Sequence, residues 1–341
     1  MAANWTDPDL IDAVKAMHSA GDTRAAAIAL GCTQRSVQRR LREARHRGLY
    51  GHTTVNPTGP VLESVDDLIA RRIEHFDKGI AWYGSESVIE IDDPLPIGIV
   101  HVGDPHLDDD GTDLRAVRDV VDILRRTEGF YGACVGDYLN NWGPKHAHLW
   151  PQQGTTADEA WKLCEWFLTS VPRWAYLLLG NHDLFSGPGS GALPYILRGV
   201  DCAASAPHEA RLRVMFPVGD PIRIWARHSW PGRSMWNVLH GQVRGALMGG
   251  YPADVMIGGH THNWGDATLE RPNDGVTRLV QVGTFKRRDD YAASHGYQPN
   301  CHGAACVTIL NPTAAGPGRV RVLWDVAEGA EYLGWLRAKR A

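Results

Sequence analysis

Asp104 and His106 in GDPH, Asp137 in GDYLNN, Asn181 in GNHD, His228 in WARHSW, and His260 and His262 in GHTH are seven side chains able to hold metal ions, set in five short clusters. They mix carboxylate, imidazole and amide oxygen, a donor set suited to first-row cations such as Mn²⁺, Fe, Ni²⁺ or Zn²⁺. No cysteine stands in any cluster, which argues against a structural thiolate zinc site. Taken singly, each cluster is weak, because an aspartate or histidine at a strand end is often a cap or a turn residue. Five of them in order, nearly all closing apolar runs, predict strands that converge on a site for two divalent ions. Two cations held close together acidify bound water and offset negative charge on a substrate, so the chemistry on offer is metal-assisted hydrolysis.

The elements that must position these residues are short apolar or β-branched runs at Ile97–Val102, Gly132–Val135, Tyr176–Leu179, Ile222–Ala226, Val255–Ile257 and Leu279–Val282. Helical periodicity at Leu114–Arg126 and Ala157–Thr169 separates some of them. Strands alternating with helices predict an α/β architecture whose sites gather at the carboxyl ends of strands. Between Asn181 and His228 a long excursion opens with the Gly/Pro-rich FSGPGSGALPY, which reads as a substrate-facing loop or a small subdomain. Val320–Asp325 reads as a last strand, with a short helix after it containing Leu333, Trp335 and Leu336.

Residues 9–48 have a different texture. Leu10, Ile11, Val14 and Met17 recur at helical spacing, residues 23–30 are alanine-rich, and Gly31 is placed for a tight turn. Thr33 is expected to cap a further helix with Val37 and Leu41 inward, which makes the shape of a helix-turn-helix. Gln34, Arg35, Gln38, Arg39 and Arg42 then face outward as donors for phosphates and base edges. The bland alternative is a small bundle whose arginines face water or meet the acidic catalytic domain. A helix-turn-helix of this size gains specificity by pairing, so a homodimer or a second DNA contact is expected with it. A linker at 49–60 and a helix carrying Val61, Val65, Leu68, Ile69, Ile73 and Phe76 on one stripe complete the division: 1–50 DNA-binding, 51–84 connecting, 85–341 catalytic.

The net charge of −4 argues against a protein that coats nucleic acid with its whole surface, although six arginines crowd into residues 35–47 against Glu43 alone. No run of eighteen apolar residues and no basic-then-apolar leader pattern is visible, so no membrane contact and a cytoplasmic setting are expected. The six scattered cysteines are expected to be free thiols, with Cys301 and Cys306 near one another but unbridged.

Together, GDPH, GDYLNN, GNHD, the lone His228 and GHTH resemble the calcineurin-like metallophosphoesterase superfamily over roughly residues 96–325. The resemblance implies a four-layer α-β-β-α sandwich with two mixed sheets between helices. It implies Asp104, His106, Asp137 and His262 on one ion, with Asp137 shared by a second ion that also takes Asn181, His228 and His260. It further implies His182 beside the substrate, donating to phosphate or protonating the leaving alkoxide, with Asp183 orienting it. Protein phosphatases of this superfamily read GDxxDR and GNHE; here GDYLNN and GNHD lack the phosphate-gripping arginine. Repair nucleases often carry a histidine where this chain has Asn140.

Aromatic and basic residues follow the motifs: Tyr138, Trp142, Lys145, His146 and Trp150, then Trp230 and Trp236, then Trp264, then Lys286, Arg287 and Arg288. They suit base stacking and a backbone grip, or for the tryptophans plain core filling. Asn140, Trp142, Trp264, Lys286, Arg287 and Arg288 are the expected substrate contacts. A helix-turn-helix joined to such a core, an arrangement similar to phosphoesterases of phage genomes, favours a manganese-dependent DNA endo- or exonuclease acting in the cytoplasm of a bacterial host. The alternatives are an enzyme for a small nucleotide phosphoester and a DNA-binding regulator with an idle metal core.

Overall fold

The computed structural model describes residues 5–49, 64–82, 85–185, 191–271, 275–288, 293, 296 and 302–339, which fall into two units, Met1–Ile80 and Ala81–Ala341. In the first, Asp7–Ala20 forms helix α1, Thr23–Ala29 forms α2 and Gln34–His46 forms α3. Each begins where its sequence supplies a cap. Asp22 accepts from the backbone N–H groups of Arg24 and Ala25 at 2.7 and 2.9 Å, and Thr33 Oγ1 accepts from Ser36 at 3.2 Å. Gly31, at φ +60°, makes the turn between α2 and α3 that an L side chain resists. Leu10, Ala13, Val14, Ala26, Ala27, Val37, Leu41 and Ala44 form the shared core. Each buried leucine or valine contributes about 1.5–3 kcal/mol, enough to order helices too short to persist alone. Helix α4, Val65–Trp82, carries Val65, Leu68, Ile69, Ile73 and Phe76 exposed. The expected linker, from residue 50 on, and Val61 lie outside the described residues.

The second unit is built on two six-stranded mixed sheets. One runs, in spatial order, β1 (Ser87–Glu90), β6 (Glu209–Met215), β7 (Ile222–Arg227), β8 (Val255–Gly258), β10 (Gly275–Gln281) and β9 (Gly265–Arg271). The other runs β12 (Val320–Leu323), β11 (Ala305–Leu310), β2 (Ile97–Val102), β3 (Phe130–Cys134), β4 (Trp174–Leu179) and β5 (Ser205–Pro207). Ile97, Ile99, Val135, Leu178, Leu212, Val214, Ile224, Ile257, Val280 and Val282 fill the layer between the sheets. Helices α5 (Leu114–Arg126), α6 (Ala157–Ser170), α7 (Ala192–Leu197) and α9 (Val326–Ala338) cover the outer face of the second sheet through Val117, Val121, Phe167, Leu168, Leu193 and Leu333. Helix α8 (His240–Met248) covers the first, over Trp225, Met256 and Leu279. The expected four-layer α-β-β-α sandwich is the architecture found.

Burial explains which strands the sequence announces. All six positions of β2 are buried because both faces of its sheet are covered, and its apolar run announces it, whereas β11, just as buried, is not among the runs read from the sequence. The edge strand β9 alternates and reads as polar, and β5 has three residues, so neither declares itself. The excursion after Asn181 is no separate subdomain: residues 186–190 lie outside the described residues, and residues 192–215 supply α7, β5 and β6 to the body. Cys134, Cys164, Cys202 and Cys306 of this unit are free thiols, while Cys301 lies outside the described residues. No described helix is long and apolar enough to cross a membrane.

Candidate metal centre

Strands β2, β3 and β4 run parallel, and so do β7 and β8 in the other sheet. Asp104 and His106 follow β2, Asp137 follows β3, Asn181 follows β4, His228 follows β7, and His260 and His262 follow β8. Five carboxyl ends from two sheets therefore deliver all seven candidate ligands to one place. The chain pays for this in backbone geometry: His106, Asp137, His260 and His262 all have positive φ, between 40° and 69°. Such left-handed residues each cost of order 1–3 kcal/mol and persist only where their surroundings hold them. Gly136 and Gly180, the leading glycines of two motifs, pack against each other so closely that a Cβ on Gly180 would meet the Asp137 carboxylate.

The seven side chains form one cluster with two sets of close contacts, and both carboxylates reach both sets, since His228 Nδ1 also lies 3.6 Å from Asp104 Oδ1. In one, His106 Nε2 faces His262 Nε2 at 3.2 Å and lies 3.9 Å from Asp137 Oδ2, while His262 Nε2 lies 3.9 Å from Asp104 Oδ2. In the other, His228 Nε2 stands 3.0 Å from Asn181 Oδ1, 3.1 Å from His260 Nδ1 and 3.4 Å from Asp137 Oδ2. The donor atoms of Asp137, His228 and His260 all lie within 4.8 Å of one another.

A divalent cation fits the converging donor atoms of Asp137, His228 and His260. His228 Nε2 carries at most one proton, yet Asn181 Oδ1, His260 Nδ1 and Asp137 Oδ2 all face it, so lone pairs outnumber hydrogens there. Asp104 Oδ1 and His106 Nδ1 are buried and make no hydrogen bond among the described residues. Charge tells the same story. Burial pushes the Asp104 carboxyl well above the usual carboxylate range, with Asp137 adding to the rise against His228. Burial pushes Asp137 the same way, but the charge and hydrogen bond of His228 outweigh it and hold Asp137 low. Burial disfavours charge on His228, yet Asp137 and Asp104 raise it to about 9. Two enclosed carboxylates demand positive charge, and a cation is the species that also satisfies the converging lone pairs.

Several groups stand where their sequence neighbourhood did not lead one to expect. Asp183 does not orient His182. Its carboxylate accepts from the backbone N–H groups of Asp137, Tyr138 and Gly180 at 2.7, 3.0 and 2.8 Å and so pins the loop bearing Asp137. His182 is oriented by the Asn140 carbonyl, to which its Nδ1 donates, and its ring packs beside Trp142 and Phe185. Asn140 itself is buried, with its amide on Asp109, and is no open substrate contact. Lys286 is 4 % exposed and its ammonium lies 2.9 Å from Asp109, so it closes the core beneath the site rather than reaching outward. Trp142 is buried with its indole N–H on Gln153, and Tyr138 is a core residue donating to the Leu178 carbonyl. Trp264 is exposed with its ring against Trp324, Arg287 lies 3.6 Å from Asp113, and Arg288 is exposed.

In the first unit, Arg35, Gln38, Arg39 and Arg42 of α3 are exposed, Arg39 with its guanidinium over Trp5. Gln34 is exposed too, but its amide donates to Thr23 and ties α3 to α2.

Arg233, absent from the expected set, stands at the site: its guanidinium lies 3.1 Å from His260 Nε2. The signal for it was slight, an arginine five residues after His228 beyond a Pro-Gly turn.

No protein-family model and no curated protein matches the sequence. Solved structures similar to it include a 5′-nucleotidase precursor from Thermus thermophilus, at 14 % identity over 72 % of this chain and 59 % of that one, with a TM-score of 0.35. An NAD nucleotidase from Haemophilus influenzae aligns at 10 % identity over 67 % of this chain and 49 % of its own, TM-score 0.35. The calcineurin-like phosphoesterase YfkN from Bacillus subtilis aligns at 10 % identity over 72 % and 97 %, TM-score 0.33. The matched region spans less than two thirds of the first two chains.

Proposed function

We propose that the second unit is a metal-dependent phosphoesterase that hydrolyses phosphodiester bonds, with DNA as its substrate. The observation that carries this reading is the convergence of the seven candidate ligands, with Asp137 Oδ2 facing both His106 and His228. In the proposed assignment Asp104, His106 and His262 hold one cation, Asn181, His228 and His260 hold the other, and Asp137 serves both. Bound there, manganese ions or similar would supply positive charge for the phosphoryl oxygens and lower the pKa of water. His182 supplies the proton. Its Nδ1–H is committed to the Asn140 carbonyl, so Nε2 is the atom that faces the departing alkoxide, and it donates there when the ring is the doubly protonated imidazolium. Trp142 and Phe185 hold the ring in that orientation.

DNA as substrate and partner is supported by the exposed Arg35, Gln38 and Arg42 of α3, suited to phosphates and base edges. The apolar stripe of α4 suits pairing of two copies, which such a short recognition helix needs. The test is Mn²⁺-dependent hydrolysis of bis-p-nitrophenyl phosphate, run beside cleavage of single- and double-stranded DNA, with metal content from elemental analysis. Two manganese ions per chain and cleavage of both kinds of substrate are expected. Hydrolysis of the small diester with DNA left intact would assign a small nucleotide instead. A folded protein that takes one ion or none would end the two-metal reading.

A further inference from the structure

Between β7 and α8, residues 229–239 form a loop pinned at both ends. Trp230 is buried with its indole N–H donating to the Ile257 carbonyl at 2.8 Å, and Leu239 is buried in the same cluster. Between these anchors the chain rises into solvent, and Arg233 is exposed at its crest with its guanidinium on His260 Nε2. No carboxylate lies within ion-pair distance of Arg233 among the described residues, whereas Arg211, Arg213, Arg223 and Arg227 of the same sheet all meet Glu209 or Glu86. A cation placed over the metal centre without an acidic partner calls for a reason.

From this we infer that Arg233 is the residue that grips the substrate's phosphate, an inference that rests on the phosphoesterase reading above. Held at the edge of the candidate ligands by a loop anchored at Trp230 and Leu239, the Arg233 guanidinium can only donate. Its planar fork matches two oxygens of a phosphate held there, the contact for which GDYLNN provides no arginine.

Arg233→Met and Arg233→Lys test this by isothermal titration of inorganic phosphate into manganese-loaded protein, with manganese affinity and the kcat and KM for bis-p-nitrophenyl phosphate measured alongside. Phosphate binding and KM are expected to weaken by about 10- to 100-fold in Arg233→Met and less in Arg233→Lys, which keeps the charge and loses the fork. Manganese affinity is expected to stay within about twofold of wild type, since Arg233 is not among the candidate ligands. A fall in manganese affinity with phosphate binding unchanged would make Arg233 a support for His260 and overturn the inference. Phosphate affinity and KM within twofold of wild type would overturn it as well. Wild-type protein that binds manganese and phosphate but hydrolyses nothing would sink the phosphoesterase reading alone, and the phosphate titration of the variants would still decide the role of Arg233.

Discussion

The two units reach their structures by opposite routes. In the first, helices α2 and α3 are explained by their own few residues: a cap, apolar positions at helical spacing and a glycine where the backbone turns left-handed. Its core is made of small side chains close together in the chain. In the second, the residues that matter most sit in conformations their own sequence disfavours. His106, Asp137, His260 and His262 adopt positive φ without being glycine, and the contacts that hold them come from 30 to 160 positions away. Local consistency makes a unit that tolerates change at one place. Strain held by distant partners makes a site in which single residues are irreplaceable.

That contrast can be broken most forcefully at Asp137. Asp137→Asn is expected to cut turnover by about 10³-fold or more and to abolish loading of two ions, because several kcal/mol of charge stabilisation rest on one carboxylate. Full manganese occupancy by elemental analysis would contradict the ligand groups. His182→Ala should leave metal content intact and lower kcat by about 10²-fold; unchanged turnover removes His182 from the chemistry.

A third expectation concerns pH. His101 lies buried between the sheets, bonded to Tyr176 and Thr308, and burial pushes its pKa from 6.5 down to about 3. Between those values the unfolded chain holds a proton that the folded chain refuses, so acid favours unfolding. Replacing His101 by Gln should flatten the loss of stability below about pH 6.5, where the wild type forfeits up to about 1.4 kcal/mol per pH unit through this group. Parallel denaturation curves for the two proteins at pH 7 and pH 5 would refute it. The smallest effect belongs to the first unit. Thr33→Ala removes the cap of α3 and should cost about 1 kcal/mol there, read by amide exchange in α3, with hydrolysis of the small diester unchanged.

Legibility followed the same division. Thr33 and Gly31 announced α3 because capping and left-handed turns are local matters. Among strands, β2 and β4 were plain from their unbroken apolar runs, whereas β5, β6 and β9 were not, since an alternating or very short strand acquires its identity only from the neighbour it pairs with. The seven ligand types and their order were visible. The roles of nearby polar groups were not: Asp183 follows His182 in sequence yet turns to three backbone N–H groups, and Lys286 heads a basic run yet folds inward onto Asp109.

What the residues alone determined is the chemistry on offer: which side chains can ligate, that strands carry them, and that a separate helical segment precedes them. Side-chain type and apolar period are properties of the chain itself and survive any arrangement in space. Only the tertiary structure decided that the seven candidate side chains converge around Asp104 and Asp137, that the Asn140 carbonyl meets His182, and that Arg233 overlooks His260. Those facts depend on how two sheets pack and where their strand ends fall, and such distances are set by the whole core rather than by any one segment.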